Sequence, residues 1–488
     1  MKAKEDLIKG SLSLSIAKFI SNAVLAFSII VVARLIGAAN YGLYVFAISL
    51  VGLLNCFGGF GIGPYLSATL PKLKRESKIT SAISTTFWLN FLLSSALTFI
   101  SFAFLPSISS TPLLIQIASF TIILNLLFAY FVNLFISLKR ATISGILTIA
   151  QSSSQAFSAM LLAFLGFGVF SPLLGLEIGY LVGSLFGFFF LTKLRIKLKL
   201  EIEKKEIANL FSFSSLLIIS SIFYFFTSKF AIVYLSNFVS PATIGNIGIV
   251  QNFVVVSDII VATIASVVMP IFAEEENEKG RIFGIVFKYS FFLVFLPLLF
   301  LFVFPNFVIT ILFGKGYDEA IPYLRLFSIY LLFSFPSFLF SSFLLSAKRI
   351  KLNTLISIIG NLVLLILIPL EEIFKANGYF YALITSSFAS VALSFFLLRK
   401  EIKIDKIEIT KVFGISLLLL LFSYSLSFFI STNLQFFAFS FLLLFLYAIS
   451  SKLIIKQSEL KTIRKAIENS QFKNFLLPLF DAFWGRLE

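Results

Sequence analysis

Runs of about twenty or more apolar residues recur between short clusters of charge along this whole chain, and that rhythm limits its fold more than anything else. A helix needs ~20 apolar residues to cross a hydrocarbon layer with its backbone polar groups satisfied internally. Fourteen runs qualify: 11–32, 42–66, 80–104, 112–137, 142–165, 170–192, 210–235, 243–270, 283–303, 320–345, 352–370, 377–398, 411–430 and 433–455. The 488 residues are 59% hydrophobic and 13% charged, with mean hydropathy +1.02, against about a quarter charged in a soluble chain. No soluble fold hides that much apolar surface, so the expected class is an all-α polytopic membrane protein. The first run follows a charged stub (Lys2, Lys4, Lys9) and lacks a small-residue cleavage site, so it reads as a retained helix.

Positive charge sets the orientation. Of 39 Lys and Arg, 33 fall on the side of the N-terminus, four on the other (Arg34, Lys315, Arg325, Lys375) and two deep in runs (Lys18, Lys229). That asymmetry predicts both termini in the cytoplasm and a multi-pass protein of the cell (plasma) membrane. The formal charge of +16 is then this bias plus attraction to anionic headgroups, not a nucleic-acid footprint. The chain has no His, which removes the usual proton shuttle and commonest metal ligand. Its single cysteine, Cys56, excludes intrachain disulfides and thiolate metal sites and reads as a small buried apolar residue. No metal, cofactor or catalytic group is expected.

The halves of the chain resemble one another. Tyr41-Gly42 opens the second run and Ile244-Gly245 the eighth; Asn55 and Asp258 follow at the same spacing. Leu70-Pro71 answers to Met269-Pro270, Ser137-Leu138-Lys139-Arg140 to Ser346-Ala347-Lys348-Arg349, and Leu194-Arg195 to Leu398-Arg399. These landmarks lie 203, 199, 209 and 204 residues apart, in one order. Six helices per half is an even number, so both halves enter the membrane in the same sense, as a parallel repeat. The expected organisation is an N-lobe (1–192), a charged cytoplasmic linker (193–209), a C-lobe (210–398), a charged connection with two extra helices (399–456) and a cytoplasmic amphipathic tail (457–488). The tail suits a helix lying at the membrane interface or docked on the bundle. Run 6 carries Gly175, Gly179, Gly183 and Gly187, and run 12 Gly378, Ala382, Ser386 and Ser390; small residues every fourth position suit close helix packing within each lobe.

Function has to come from polar groups inside the runs, where charge is costly unless it faces a cavity or a partner. Ser11, Ser15, Lys18 and Asn22 share one face of the first helix. Ser144, Thr148, Gln151, Gln155 and Ser158 do so on the fifth, and Asn353, Ser357 and Asn361 on the eleventh. Such faces either line an aqueous cavity or bond neighbouring helices. Lys229 and Glu177 sit at similar depth, so they either pair or leave Lys229 to meet an anionic substrate. Asp258 lies near mid-depth, two turns from Gln251, and fits coupling to H+ or Na+, a buried hydrogen-bonded acid, or a substrate contact.

Ala33-Arg34-Leu35-Ile36-Gly37 followed by Tyr41-Gly42-Leu43-Tyr44 resembles the start of the polysaccharide transporter family, the O-antigen and oligosaccharide-lipid flippases. Phe60-Gly61-Ile62-Gly63 is similar to its glycine-rich signature, and Phe313-Gly314-Lys315-Gly316-Tyr317 with Ala320 also fits. The resemblance implies the multidrug/oligosaccharidyl-lipid/polysaccharide exporter superfamily, in which two six-helix lobes alternate access to a central cavity. It also implies movement of a polyprenyl- or dolichyl-(pyro)phosphate-linked sugar from the cytoplasmic to the outer leaflet. Relatives often carry an Arg soon after the glycine signature, where this chain reads Pro64-Tyr65-Leu66-Ser67-Ala68-Thr69, so a phosphate contact would shift to Lys18, Arg34 or Lys229.

The expected substrate-facing set is therefore Lys18, Asn22, Arg34, Gln151, Gln155, Lys229 and Asn361, with Asp258 and Glu177 for coupling. The expected partners are a lipid-linked glycan and the bilayer, with H+ or Na+ as a coupling ion; the chain is read as a monomer, alone or beside glycan-assembly enzymes. One rival is a cation-coupled multidrug exporter of the same superfamily, which favours acidic cavity residues. The other is a membrane-embedded glycan polymerase or ligase, for which the longest outer connection, 304–319, is too short to hold a catalytic loop.

Overall fold

The structure is a computed structural model that describes residues 2–254 apart from 60, 74 and 75, residues 279–399 apart from 348, and scattered positions between 414 and 447. Its helices are α1 (Lys2–Asn55), α2 (Ile62–Thr69), α3 (Glu76–Phe104), α4 (Pro112–Ser137), α5 (Ala141–Phe164), α6 (Phe170–Lys193), α7 (Lys204–Leu235) and α8 (Pro241–Gln251). There follow α9 (Lys279–Val303), α10 (Pro305–Phe313), α11 (Ala320–Ser346), α12 (Ile350–Leu367), α13 (Leu370–Phe374) and α14 (Ala376–Leu398). No strand occurs among the described residues.

Helix boundaries fall where local chemistry puts them. Pro112, Pro241 and Pro305 each sit in the first turn, where a missing N–H costs nothing. Ser240 caps α8, its Oγ accepting from the Thr243 amide at 3.2 Å, a bond of about 1 kcal/mol. α1 holds two expected runs in one hydrogen-bonded stretch, broken at Gly37, whose φ of 77° is closed to most side chains. The second run is not a single helix as expected. α1 stops at Asn55, Cys56 donates its thiol to the Leu53 carbonyl, and a turn ending in left-handed Gly61 leads into α2.

Seven described helices are long and apolar enough to cross a membrane, or up to eight if α10 and the end of α9, bent by 83°, form one span. α1 enters that number once, over Ile16–Asn55, whose 40 residues reach about 60 Å, twice a hydrocarbon thickness. The expected runs 13 and 14 lie largely, and the tail entirely, outside the described residues. Large side chains such as Phe99, Phe164 and Ile366 are 70% or more exposed, a surface suited to lipid and not to water.

In the N-terminal half α5 packs on α1 and α6, and α4 on α3 and α6. Every fourth-residue glycine of α6 is used. A Cβ on Gly175 would meet Ala159, on Gly179 the Gln151 carbonyl and Gln155, on Gly183 Phe128, and on Gly187 Phe131. In the second half α11 packs on α9 and α14, and α12 on α14 and α7. Its core is a ladder of Phe283, Phe287, Phe291 and Phe295, one per turn of α9, all at most 2% exposed and faced by Phe340, Phe343 and Phe395. The halves meet where α1 crosses α8 and α7.

Glu371, on the short α13, is fully buried, and neither carboxylate oxygen has a partner among the described residues. Burial pushes its carboxyl up to about 8 from 4.5. Because the folded chain holds that proton more tightly than the unfolded one, the contribution to stability is intact below about pH 4.5 and is lost as pH climbs through 8. Glu371→Gln should therefore unfold like the parent at pH 5 and be more stable at pH 9, by a few kcal/mol. Thermal unfolding of the purified protein at the two pH values measures this; equal melting shifts at both would show that Glu371 does not retain its proton.

Candidate functional site

Two hollows lie side by side where the helices of the two halves converge. The smaller, about 280 Å³, is lined from α1 by Ser28, Ile29, Tyr41, Tyr44 and Ser49, from α5 by Gln155, and from α8 by Gly248, Gln251 and the following Asn252. The larger, about 660 Å³, lies among α7, α11, α12 and α14. Lys229 and Gln251 belong to both linings, so they form the shared wall. From Phe327 to Leu344 the larger hollow follows α11 for about 25 Å, most of a bilayer core.

Lys229 reaches this wall because Gly52 lets it. Its Cγ, Cδ and Cε lie 3.2–3.5 Å from where a Cβ on residue 52 would stand, so the stem rests on bare α1 backbone. No hydrogen bond or ion pair joins it to another described residue. The alternative of a Lys229–Glu177 pair is not realised: Glu177 on α6 accepts from Thr121 Oγ1 of α4 at 3.3 Å, inside the N-terminal half. Gln251 donates to the Tyr379 hydroxyl across to α14, and Asn252 donates to the Tyr41 hydroxyl at 3.1 Å. These bonds fix α8 between the halves.

The other expected site residues part company. On α12 the face of Asn353, Ser357 and Asn361 lines the larger hollow, with Asn361 donating to the Ser357 carbonyl at 2.8 Å. Of the polar α5 stripe only Gln155 reaches a hollow. Gln151 is 6% exposed and donates to Gln155 at 2.7 Å, while Ser144 is fully buried and donates to the Val132 carbonyl of α4. That stripe is mainly helix-to-helix contact. Lys18 is exposed and Asn22 half-buried; they continue the α1 face that carries Leu25, Ile29 and Val32 on the smaller hollow. Asp258 lies outside the described residues.

Arg34 lines neither hollow. Its guanidinium donates to the carbonyls of Leu312 (2.7 Å) and Ile311, the unsatisfied last-turn groups of α10, where a cation is favoured. Beside it the Phe313–Tyr317 motif finds its reason. Gly314 and Gly316 take φ of 80° and 118°, turning the chain so that buried Tyr317 donates to the Ala33 carbonyl at 2.8 Å. Next to these bonds, Gly42 and Gly245 pack backbone on backbone. A Cβ on Gly42 would overlap the Pro241 carbonyl oxygen and lie 2.8 Å from the Gly245 nitrogen; one on Gly245 would overlap the Ala38 carbonyl and lie 3.0 Å from the Gly42 nitrogen. Two residues that the sequence repeat pairs thus touch each other and close this end of the hollows.

Sequence reasoning missed the serines. Ser334, Ser337 and Ser341 of α11 and Ser386, Ser387, Ser390 and Ser394 of α14 line the larger hollow. Their three- and four-residue spacing was the available signal, but on α14 it also fitted a packing face, and Ser390 serves both uses by abutting Gly360. Lys288, counted among inner charges by position, is 5% exposed within α9. Among the described residues no three His, Cys, Asp or Glu side chains gather as a metal site would require.

Membrane-length helices enclosing polar hollows shared between two halves define a multi-helix membrane transporter. The chain belongs to the family described as Polysaccharide biosynthesis protein, whose model matches residues 31–322. Its fold is similar to that of a lipid II flippase MurJ in an inward closed conformation, with TM-score 0.76 and 16% identity over 90% of this chain and 98% of that one. It is also similar to an inward-facing multidrug resistance MATE family transporter of the MOP superfamily, with TM-score 0.65 and 14% identity over 81% of this chain and 98% of that one. A MOP superfamily transporter from Pyrococcus furiosus, described as having a binding pocket of reverse polarity, matches with TM-score 0.55 and 12% identity over 81% of this chain and 96% of that one. No curated protein matches the chain in sequence.

Proposed function

We propose that this protein flips a lipid-linked oligosaccharide or polysaccharide unit, carried on a polyprenyl or dolichyl (pyro)phosphate, from the cytoplasmic to the outer leaflet by alternating access. One observation carries the reading: Lys229, without a carboxylate partner among the described residues, stands on the common wall of two hollows lined by hydroxyls and amides. A glycan head cannot cross hydrocarbon unaided, whereas its isoprenoid tail can stay there. Hydroxyls and amides replace the water of the sugars, and a cation meets the phosphate through a charge-assisted bond. With both termini cytoplasmic, the Gly42–Gly245 contact and the Arg34 and Tyr317 bonds lie at the outer end. The conformation is then closed to the outside.

A cation-coupled drug exporter has the same fold, but its cavity needs carboxylates, and Lys229 repels the cations such an exporter carries. The test is deletion of the gene followed by leaflet-resolved analysis of lipid-linked oligosaccharides. Cytoplasmic accumulation is expected. Normal sidedness with altered polymer length would point to an enzyme, and drug sensitivity with normal glycolipids to the exporter.

A further inference from the structure

The larger hollow has a chemical bias that its residue types alone do not reveal. Ser334, Ser386, Ser387, Ser390 and Ser394 each donate their only hydroxyl proton to a carbonyl of their own helix, at 2.7–3.2 Å. What they present to the hollow is therefore lone pairs. Ser337 Oγ is buried at the same wall with no partner among the described residues. The Asn353 and Asn361 amides on the same lining still have N–H groups to give, so the wall is uncharged and offers acceptors and donors together. Its complement is a ligand rich in O–H groups.

Acceptors also attract cations, but here they lie beyond Lys229, whose ammonium repels cations at the hollow's edge. Anions fare no better beyond the Lys229 edge. Among the described residues lining this hollow Lys229 is the only charged one. A carboxylate carried past it would lie among neutral hydroxyls and amides without a counter-ion, in a medium where an unpaired charge is costly. Neutral sugar hydroxyls, which both donate and accept, suit both constraints.

We infer that the chamber bounded by α11, α12 and α14 is a subsite for uncharged sugar rings of the head group, with the phosphate held at its Lys229 edge, and that it discriminates against acidic sugars such as uronates. This rests on the flippase reading and adds to it the lobe that takes the glycan and the charge the glycan carries. The lateral phosphate and tail remain toward the smaller hollow, while the sugars extend along α11.

The experiment compares binding of three probes to the full-length protein in nanodiscs: bare polyprenyl phosphate, the same lipid bearing a neutral hexose, and the same lipid bearing a hexuronate. Wild type should bind the hexose lipid about tenfold more tightly than the hexuronate lipid. The triple variant Ser334→Ala, Ser386→Ala, Ser390→Ala should lose about tenfold for the hexose lipid, as two or three lost hydrogen bonds imply, and bind bare polyprenyl phosphate as before. The bare lipid also reports that the variant is folded. Equal hexose and hexuronate affinities, or a triple variant indistinguishable from wild type, overturn the subsite and leave the flippase reading standing. If wild type binds none of the three lipids, the flippase reading fails and the subsite with it. Tetraphenylphosphonium binding that weakens in the triple variant overturns it in favour of a cation chamber.

Discussion

Gly42→Val is expected to abolish transport without preventing insertion, the largest effect of any substitution outside the hollows. The added side chain has no rotamer that escapes, because what it meets is the Pro241 carbonyl oxygen and the Gly245 amide, both main chain. α1 and α8 must move apart, and overpacking of this kind costs about 1–3 kcal/mol or more. The cost falls only on the state in which these helices touch. Each 1.4 kcal/mol changes a two-state ratio about tenfold, so the conformation described here would become a minor one. Spin labels at the exposed Ala39 and Ser240 should report a longer, broader distance in the variant, alongside flipping reduced at least tenfold. Gly245→Ala should act the same way, and the two together should cost less than their sum, since either change alone already separates the backbones. Gly59→Ala, with nothing within 4 Å, is the matched control and should be silent. Unaltered distances and transport in Gly42→Val would mean that this contact is not an alternating seal.

Lys229→Gln should come next. The amide is one bond shorter, keeps some hydrogen bonding and loses the charge, and a bond to a charged group is worth about 1.5–3 kcal/mol where the neutral one is worth about 1. Flipping should fall about ten- to a hundredfold, and further in Lys229→Ala, with membrane insertion unchanged. Gly52→Val should mimic part of the loss by displacing the Lys229 stem, whose carbons already lie 3.2–3.5 Å from the added Cβ position. Initial flipping rates in proteoliposomes with a leaflet-selective probe measure all three. Wild-type rates in Lys229→Ala would remove this lysine from the site.

The glycine faces show how much of the packing was legible. Four glycines at four-residue steps can hardly serve anything but close helix approach, and α6 uses each of them against α5 or α4. The motif at Phe313–Tyr317 was legible in sequence only as a family resemblance; the positive φ of Gly314 and Gly316 that gives it a reason came from the structure. The role of Arg34 was not legible. From sequence it is a cation at the end of an apolar run, equally suited to phosphate, headgroup or helix terminus. Its binding to the end of α10 depends on a helix nearly 280 residues away in the chain.

The polar stripes divide most sharply. Those on α5 and α12 both set hydroxyls and amides at helical spacing, yet the α12 stripe faces a hollow while the α5 stripe is largely sealed against its neighbours. By itself the sequence determined the membrane class and where most of the apolar helical segments lie, but not that the second run breaks between Asn55 and Ile62. In hydrocarbon a backbone must bond to itself, so the length and polarity of each run dictate a local answer. Only the tertiary structure decided which polar faces meet water-sized space and which meet another helix. A hydroxyl or amide is satisfied equally well by a ligand, by water or by a neighbouring carbonyl, and its position along one helix carries no record of what stands opposite.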